Sequence, residues 1–326
     1  MTDFSEVCVV GAGKWGMNHI RTLSEMGSLG GVVESNPEVL NSLRSTYQDI
    51  QYFSKLEMAL THGFSGFTVA TPAETHFDIA QQILESGHHV LVEKPITMDS
   101  NDAICLNEIS NKHNVNLMVG HVLLFHPAFQ KIKELIEDGT MGDLQYLYSN
   151  RLNLGTIRTE ENVFWSFAPH DIALFQWMTD SFPEIVNSRG MDILQDGIHD
   201  TTITSLKYPG KLMGHIYVSW LHPFKEHRFV VVGSKGMVRF EDSVEGKPLM
   251  FYDKSIEWEE EKPVPKSGNT WDIEYDDSMP LASELKYFVD HLNGEKIEKA
   301  NGKSAIDVIK ILETATESLL EGRDGQ

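Results

Sequence analysis

Basic residues are scarce in this sequence: 27 lysines and arginines stand against 48 aspartates and glutamates, a formal charge of −21. A surface of that sign repels polyanions over most of its area, which argues against a nucleic-acid or an anionic-membrane partner. Cysteine is scarcer still. Cys8 falls in an apolar run and Cys105 in a helical pattern, as buried thiols of a reducing compartment do, and they form neither a metal-ligand spacing nor a disulfide framework. Long hydrophobic runs are missing: nothing approaches the ~20 apolar residues of a membrane span. The acidic opening Met-Thr-Asp-Phe-Ser-Glu leads straight into a strand pattern and not into a signal peptide. Repeats and low-complexity tracts do not occur. Together these absences predict a cytoplasmic protein without a metal site.

What is present is enough chain for two cores. A length of 326 residues predicts two domains, and the patterning divides near residue 120. In residues 1–120 short apolar runs alternate with helical stretches, the mark of a doubly wound parallel sheet. Its first run, Val7 to Val10, breaks at Gly11-Ala12-Gly13-Lys14-Trp15-Gly16 and a helical pattern follows with Ile20, Leu23 and Met26. Strand, then G-x-G-x-x-G, then helix is the setting of a dinucleotide-binding turn. Gly11 serves the tight turn, Gly13 close approach to a pyrophosphate, and Gly16 helix–strand packing; the helix N-terminus offers N–H groups to the phosphates. Glu34 ends the next strand, where an acid binds ribose hydroxyls. Ser35-Asn36-Pro37 after it hold no basic residue, so NAD is favoured over NADP.

The run Val90-Leu91-Val92 ends in Glu93-Lys94-Pro95. Pro95 stops the strand for want of an N–H and holds Lys94 extended. That aims the lysine past the carboxyl end of a parallel strand, where such sheets bind ligands.

Jointly these motifs resemble the glucose–fructose oxidoreductase / inositol dehydrogenase / MocA family of NAD(P)-dependent sugar and polyol oxidoreductases. The matching pieces are Gly11-x-Gly13-x-x-Gly16 with His19 after it, Ala70-Thr71-Pro72-x-x-x-His76, and Glu93-Lys94-Pro95. The resemblance covers essentially the whole chain. It implies an α/β protein: an N-terminal Rossmann domain, 1–120, and a C-terminal α/β domain, 121–326, with a large open, mostly antiparallel sheet and terminal helices packing back. One face of that sheet covers the active site and the other pairs subunits, as a homodimer or homotetramer. Lys14, Trp15, Thr71, Pro72, His76 and Glu93 fall on the expected cofactor side, Glu93 in a supporting role. Lys94 is expected beside the nicotinamide and the reacting carbon.

In the second half, residues 254–279 read as charged loop, followed by two closing helices. His170 matches the family's histidine at a helix start, the usual general base. An imidazole titrates near neutrality, at about 6.5 when unperturbed, so it can take a hydroxyl proton while hydride leaves the same carbon. Many members place aspartates four residues before and three after this histidine; here Ser166 and Ala173 stand there, and Asp171 is the candidate to orient the ring. His121, Arg151, Asn153, Arg158 and Trp165 are expected to border the substrate with Lys94 and His170. Arg151 and Arg158, with Lys225, His227 and Arg228, form a basic island that suits an anionic ligand or pairs with Glu160, Glu161 and Glu226. The run from Asn150 to His170 looks like the branch of nucleotide-sugar 3-dehydrogenases that oxidise C3 of UDP-N-acetylglucosamine or its uronic acid, ahead of transamination for surface polysaccharide. A free polyol such as an inositol and a non-catalytic cofactor-binding regulator are the rival readings.

Overall fold

Val7–Val10, the apolar run before the glycine turn, is strand β1, and all four of its residues are buried. The structure is a computed structural model and describes residues 6–321. From β1 the chain alternates through α1 (Lys14–Glu25), β2 (Leu29–Val33), α2 (Pro37–Thr46), β3 (Gln51–Phe53), α3 (Leu56–Ala59), β4 (Gly66–Val69), α4 (His76–Glu85), β5 (His89–Glu93), α5 (Ser100–His113) and β6 (Leu117–Gly120). The six strands form one sheet in the order β3-β2-β1-β4-β5-β6, and each neighbouring pair is parallel. A parallel sheet covered on both faces demands strands without polar alternation, which is why Val7–Val10 and Val90–Val92 are apolar throughout. The order reverses between β1 and β4, and such a reversal opens a crevice at the carboxyl ends of the strands.

The second sheet has eight strands. After α6 (Pro127–Glu137) come β7 (Leu144–Leu152), α7 (Val163–Phe167), α8 (Pro169–Thr179), β8 (Ile185–Met191), β9 (Thr201–Lys207), β10 (Met213–Ser219), β11 (Glu226–Gly233), β12 (Met237–Glu241), β13 (Leu249–Glu259) and β14 (Lys262–Asp272). Their order is β14-β13-β12-β11-β7-β10-β9-β8. Only β7 and β10 pair in parallel; the other pairs are antiparallel. Leu147, Ile216, Phe229, Val231 and Phe240 on one face are essentially buried. Phe229 there meets Phe175 of α8 and Phe129 of α6 edge-on at 5.6 and 5.1 Å, a favoured aromatic geometry.

Two expectations are corrected. Residues 254–272 are not loop, since β13 and β14 pair along a hairpin from Met250↔Asp272 out to Glu259↔Lys262; only 273–279 are. And residues 121–326 are not one unit. The chain divides into Met1–Phe125 with Ser278–Lys310, and His126–Asp277 with Ile311–Gln326. Helix α9 (Pro280–Asp290) and the first half of α10 (Gly302–Glu321) therefore belong with the parallel sheet. The physical reason is apolar: Leu285 and Phe288 are fully buried, and Phe288 and Leu292 lie so close over Gly66 that a Cβ there would come within 3.1 and 2.6 Å of them. Among the described residues no helix is long and apolar enough to cross a membrane.

Candidate active site

The carboxyl edge of the six-stranded sheet is built by the turns that follow β1, β2, β4 and β5. Gly11 has φ +92°, and a Cβ on it would lie 2.8 Å from Thr71 Cγ2; only glycine turns the chain there. A Cβ on Gly16 would lie 2.0 Å from the Gly11 carbonyl oxygen, so α1 closes directly onto the turn. Gly13, Lys14 and Trp15 are exposed at the start of α1. Glu34, at the end of β2, accepts from Ala12 N at 2.9 Å and Asn36 N at 2.8 Å, so its carboxylate is fixed across the glycine turn. Gly11, Gly13, Glu34, Lys55, Thr71 and Pro72 line a cavity of about 560 Å³. A glycine turn without side chains, a helix N-terminus and a fixed acid fit a dinucleotide. Lys55 was not visible as part of this cavity from sequence, where it stands 21 residues beyond Glu34; β3 brings it beside β2.

His76 is a hydrogen-bonding group at the start of α4. It is 1% exposed, with Nδ1 2.8 Å from the Pro95 carbonyl and Nε2 3.0 Å from the Thr71 carbonyl. It braces the turns after β4 and β5 against each other and has no face left for a cofactor. Thr75 supports the same turn through Thr71 Oγ1 at 2.8 Å.

Lys94 follows β5 and is half-buried, with its amide 3.3 Å from Glu93 Oε2. Behind it lies a buried polar cluster. Glu93, 8% exposed, accepts from Trp15 Nε1 and contacts His19 Nε2 at 2.8 Å. His121, just past β6, is 2% exposed; burial pushes its imidazole down to about 4, so it is neutral at pH 7. It faces the interior and not, as expected, a substrate. Glu284 of α9 is fully buried, and neither of its oxygens has a hydrogen-bond partner among the described residues. Burial, then the charge of Glu93, push its carboxyl well above the usual carboxylate range, so it holds a proton at pH 7.

That proton has a stability consequence. The unfolded chain releases it near the ordinary glutamate value of about 4.3, whereas the folded protein keeps it. The contribution is therefore full below the unfolded value and lost as pH rises through the raised folded one. Glu284→Gln, equal in size and always neutral, is expected to gain on the unsubstituted protein steadily as pH climbs from 5 to 9 in urea titrations. Parallel pH dependences would show that Glu284 ionises as an ordinary surface acid.

In the second unit, α8 starts with Pro169 at its first position, the place that tolerates a missing N–H, and His170 follows, half-buried. Asp171 is 1% exposed. Its Oδ2 accepts from Arg151 Nε at 2.7 Å, and its Oδ1 from Arg151 Nη2 at 3.0 Å and Ser149 Oγ at 2.7 Å. Ser149 and Arg151 alternate on the face of β7 that α8 covers. Asp171 is thus occupied from below by β7, and its expected role as orienter of His170 is not what the structure builds. Ser166 and Ala173, at the family's aspartate positions, are 9% and 5% exposed.

The basic island is largely paired. Arg151 holds Asp171 in a bidentate contact, Arg228 Nε lies 2.7 Å from Glu241 and Nη1 3.4 Å from Glu226, and Arg158 Nε lies 3.9 Å from Glu161. Burial lowers His227, which leaves it neutral. Asn153 sits half-buried at the end of β7, its amide bonded to the Ser219 carbonyl at 3.0 Å. Trp165 directs Nε1 to Thr316 Oγ1 at 2.9 Å, which ties α7 to α10. Among the described residues no group of three histidines, cysteines or carboxylates is placed to hold a metal.

Comparison with known proteins bears on both units. Residues 5–121 match the model of an oxidoreductase family with an NAD-binding Rossmann fold, and residues 129–239 match the GFO/IDH/MocA C-terminal domain. The chain is 27% identical over 189 residues to the UDP-N-acetylglucosamine 3-dehydrogenase of Acidithiobacillus ferrooxidans, 58% of either chain. It is 25% identical over 188 residues to an inositol 2-dehydrogenase of Corynebacterium glutamicum, 56% of either. It thus spans little more than half the length of these relatives. The solved UDP-N-acetylglucosamine 3-dehydrogenase GnnA from Acidithiobacillus ferrooxidans superposes with a TM-score of 0.85 at 20% identity, covering 96% of this chain and 97% of that one. WlbA dehydrogenase from Bordetella pertussis, solved with NADH and UDP-GlcNAcA, gives 0.78 at 20% identity over 98% and 97%. At such identities the likeness of the structures is one of fold.

Proposed function

The chain belongs to the GFO/IDH/MocA family of oxidoreductases, and from that membership we propose that it is an NAD-dependent dehydrogenase oxidising a sugar hydroxyl to a ketone, with C3 of UDP-N-acetylglucosamine or its uronic acid as the position attacked. The observation that carries the reading is Lys94 at the carboxyl end of β5, on the sheet edge where the glycine turn and Glu34 border a cavity of dinucleotide size. Gly11, Gly13 and the start of α1 would hold the pyrophosphate, Glu34 the adenosine ribose. When bound, the dinucleotide supplies the hydride acceptor. Lys94 hydrogen-bonds the substrate oxygen and stabilises the alkoxide as it develops, and His170 accepts the hydroxyl proton.

NAD is favoured because the Glu34 carboxylate, fixed by two backbone N–H groups, would repel a 2′-phosphate. Lys55 on the same cavity works the other way, so the balance is read by titration. NAD⁺ is expected to bind at least about tenfold, or 1.4 kcal/mol, tighter than NADP⁺. The half-open face of the eight-stranded sheet, with Tyr146, Tyr148 and Tyr217 half-buried and Ile203 exposed, suits pairing of subunits into a dimer or tetramer.

The paired state of Arg151 and Arg228 favours a second reading, oxidation of a free polyol, because little unpaired positive charge then remains for a diphosphate. One assay separates the two. Purified protein with NAD⁺ is given UDP-N-acetylglucosamine, its uronic acid, then free inositols; NADH absorbance is followed without 2-oxoglutarate, and 2-hydroxyglutarate formation is measured with it, since the oxo acid takes the hydride from tightly held NADH. Signal with either nucleotide sugar supports the first reading. Signal with inositols alone moves the chain to the second, and none with any of them overturns both.

A further inference from the structure

The polar cluster behind Lys94 joins two elements that sequence leaves far apart, the helix after the glycine turn and the strand that ends in the lysine. Trp15 and His19 stand one turn apart on α1 and converge on one oxygen of Glu93, Trp15 through its indole N–H and His19 through Nε2 at 2.8 Å. The second oxygen lies 3.3 Å from the amide of Lys94 itself. Space for the carboxylate is cut into β6: Gly120 pairs with Glu93 in register, and a Cβ on it would lie 2.9 Å from the Glu93 carboxyl atoms. Trp15 is 41% exposed, which is unusual for an indole whose N–H points inward. Its ring sits on the surface of the turn where the pyrophosphate would lie, while its donor reaches the buried acid. His19 is fully buried and meets the Trp15 ring at an angle of 64°. A charged acceptor shared by two donors fixes both more firmly than neutral bonds do.

We infer that Glu93 is a positioning residue that registers the phosphate-binding turn against Lys94, so that the backbone carrying the ammonium and the backbone cradling the cofactor are set by one carboxylate. The inference rests on the reading of Lys94 as the catalytic lysine. Its chemistry is that of orientation: displacement of a reacting group by about 1 Å can cost about 100-fold in rate. A link of this kind also predicts which substitutions behave alike. Trp15→Phe keeps the ring and removes only the donor, at a position exposed enough to spare the fold. Glu93→Gln keeps the volume and removes the charge.

The test is turnover per cofactor-binding site, with NAD⁺ affinity measured by calorimetry on the same preparations. Glu93→Gln and Trp15→Phe are each expected to lower kcat about 10- to 100-fold, with KM for the sugar little changed and NAD⁺ affinity weakened. The double variant is expected to be no worse than Glu93→Gln alone, because both break one link. A residue that merely supports the fold would lower the number of competent sites and the melting temperature while leaving kcat per site intact, and that result overturns the inference. So does a fully additive double variant. Lys94→Ala run alongside separates the two levels: active Lys94→Ala sinks the functional reading, whereas inactive Lys94→Ala with unaltered Glu93→Gln and Trp15→Phe sinks this inference alone.

Discussion

Lys94→Ala is expected to lower kcat by about 10²–10³-fold, the loss that follows removal of one donor aimed at developing negative charge, and to leave NAD⁺ binding nearly intact. The separation of the two effects comes from where the contacts originate. The cavity offered to the dinucleotide is lined by the turns after β1, β2 and β4 and by Lys55, and Lys94 is not among its lining residues. Lys94 instead extends from the end of β5, with its amide held at Glu93 and its following residue, Pro95, buried and bonded through its carbonyl to His76. The ammonium therefore hangs from a backbone braced on both sides, and truncating it removes a charge without loosening the brace. Lys94→Arg is expected to recover little, because a planar fork on a longer stem cannot occupy the point a compact ammonium does. Steady-state kinetics on the best substrate and calorimetric NAD⁺ titration of the same samples read both quantities. Turnover near that of the unsubstituted enzyme would remove Lys94 from the chemistry.

The features behind this prediction were legible in sequence for a simple reason: they are local. An apolar run cut by a glycine turn, and another cut by Glu93-Lys94-Pro95, carry their strand ends within a few residues. The hairpin of β13 and β14 was not legible. Its outer half has both faces in water, so Lys254 to Ser267 show no apolar alternation, and its reversal uses Glu260 and Glu261 at φ +49° and +67°. Such a turn ordinarily announces itself by Asn-Gly or Asp-Gly; two glutamates do not. The return of residues 278–310 to the first unit depends on Phe288 and Leu292 finding Gly66, a partner more than 200 residues away. The site shows the same division. Arg151 and Asp171 are each visible in sequence as charges, but their pairing is set by β7 lying beneath α8, which no local pattern announces. Glu284 carries no mark in the sequence that sets it apart, and only packing buries it.

His170→Asn is expected to lower kcat/KM by about 10²–10⁴-fold, the range for loss of a general base, and to change the shape of the pH profile as well as its height. A base must be unprotonated to accept the hydroxyl proton, so the unsubstituted enzyme loses rate on the acid side as its base takes up a proton. Asparagine cannot titrate, and the residual rate should rise with hydroxide without that inflection. The fold should survive the change. The first turn of α8 is pinned by Asp171, through Ser149 and Arg151, while the buried side chains of Ile172, Leu174 and Phe175 hold the helix to the sheet. The same pinning explains how His170 can be placed without the family's flanking aspartates: the neighbouring residue fixes the backbone turn, and the ring is carried on it. A variant that kept both its rate and its acid inflection would mean that the proton leaves by another group. Lys94, the other residue read as reaching the hydroxyl oxygen, would then have to accept it as a neutral amine, and the two side chains would exchange roles.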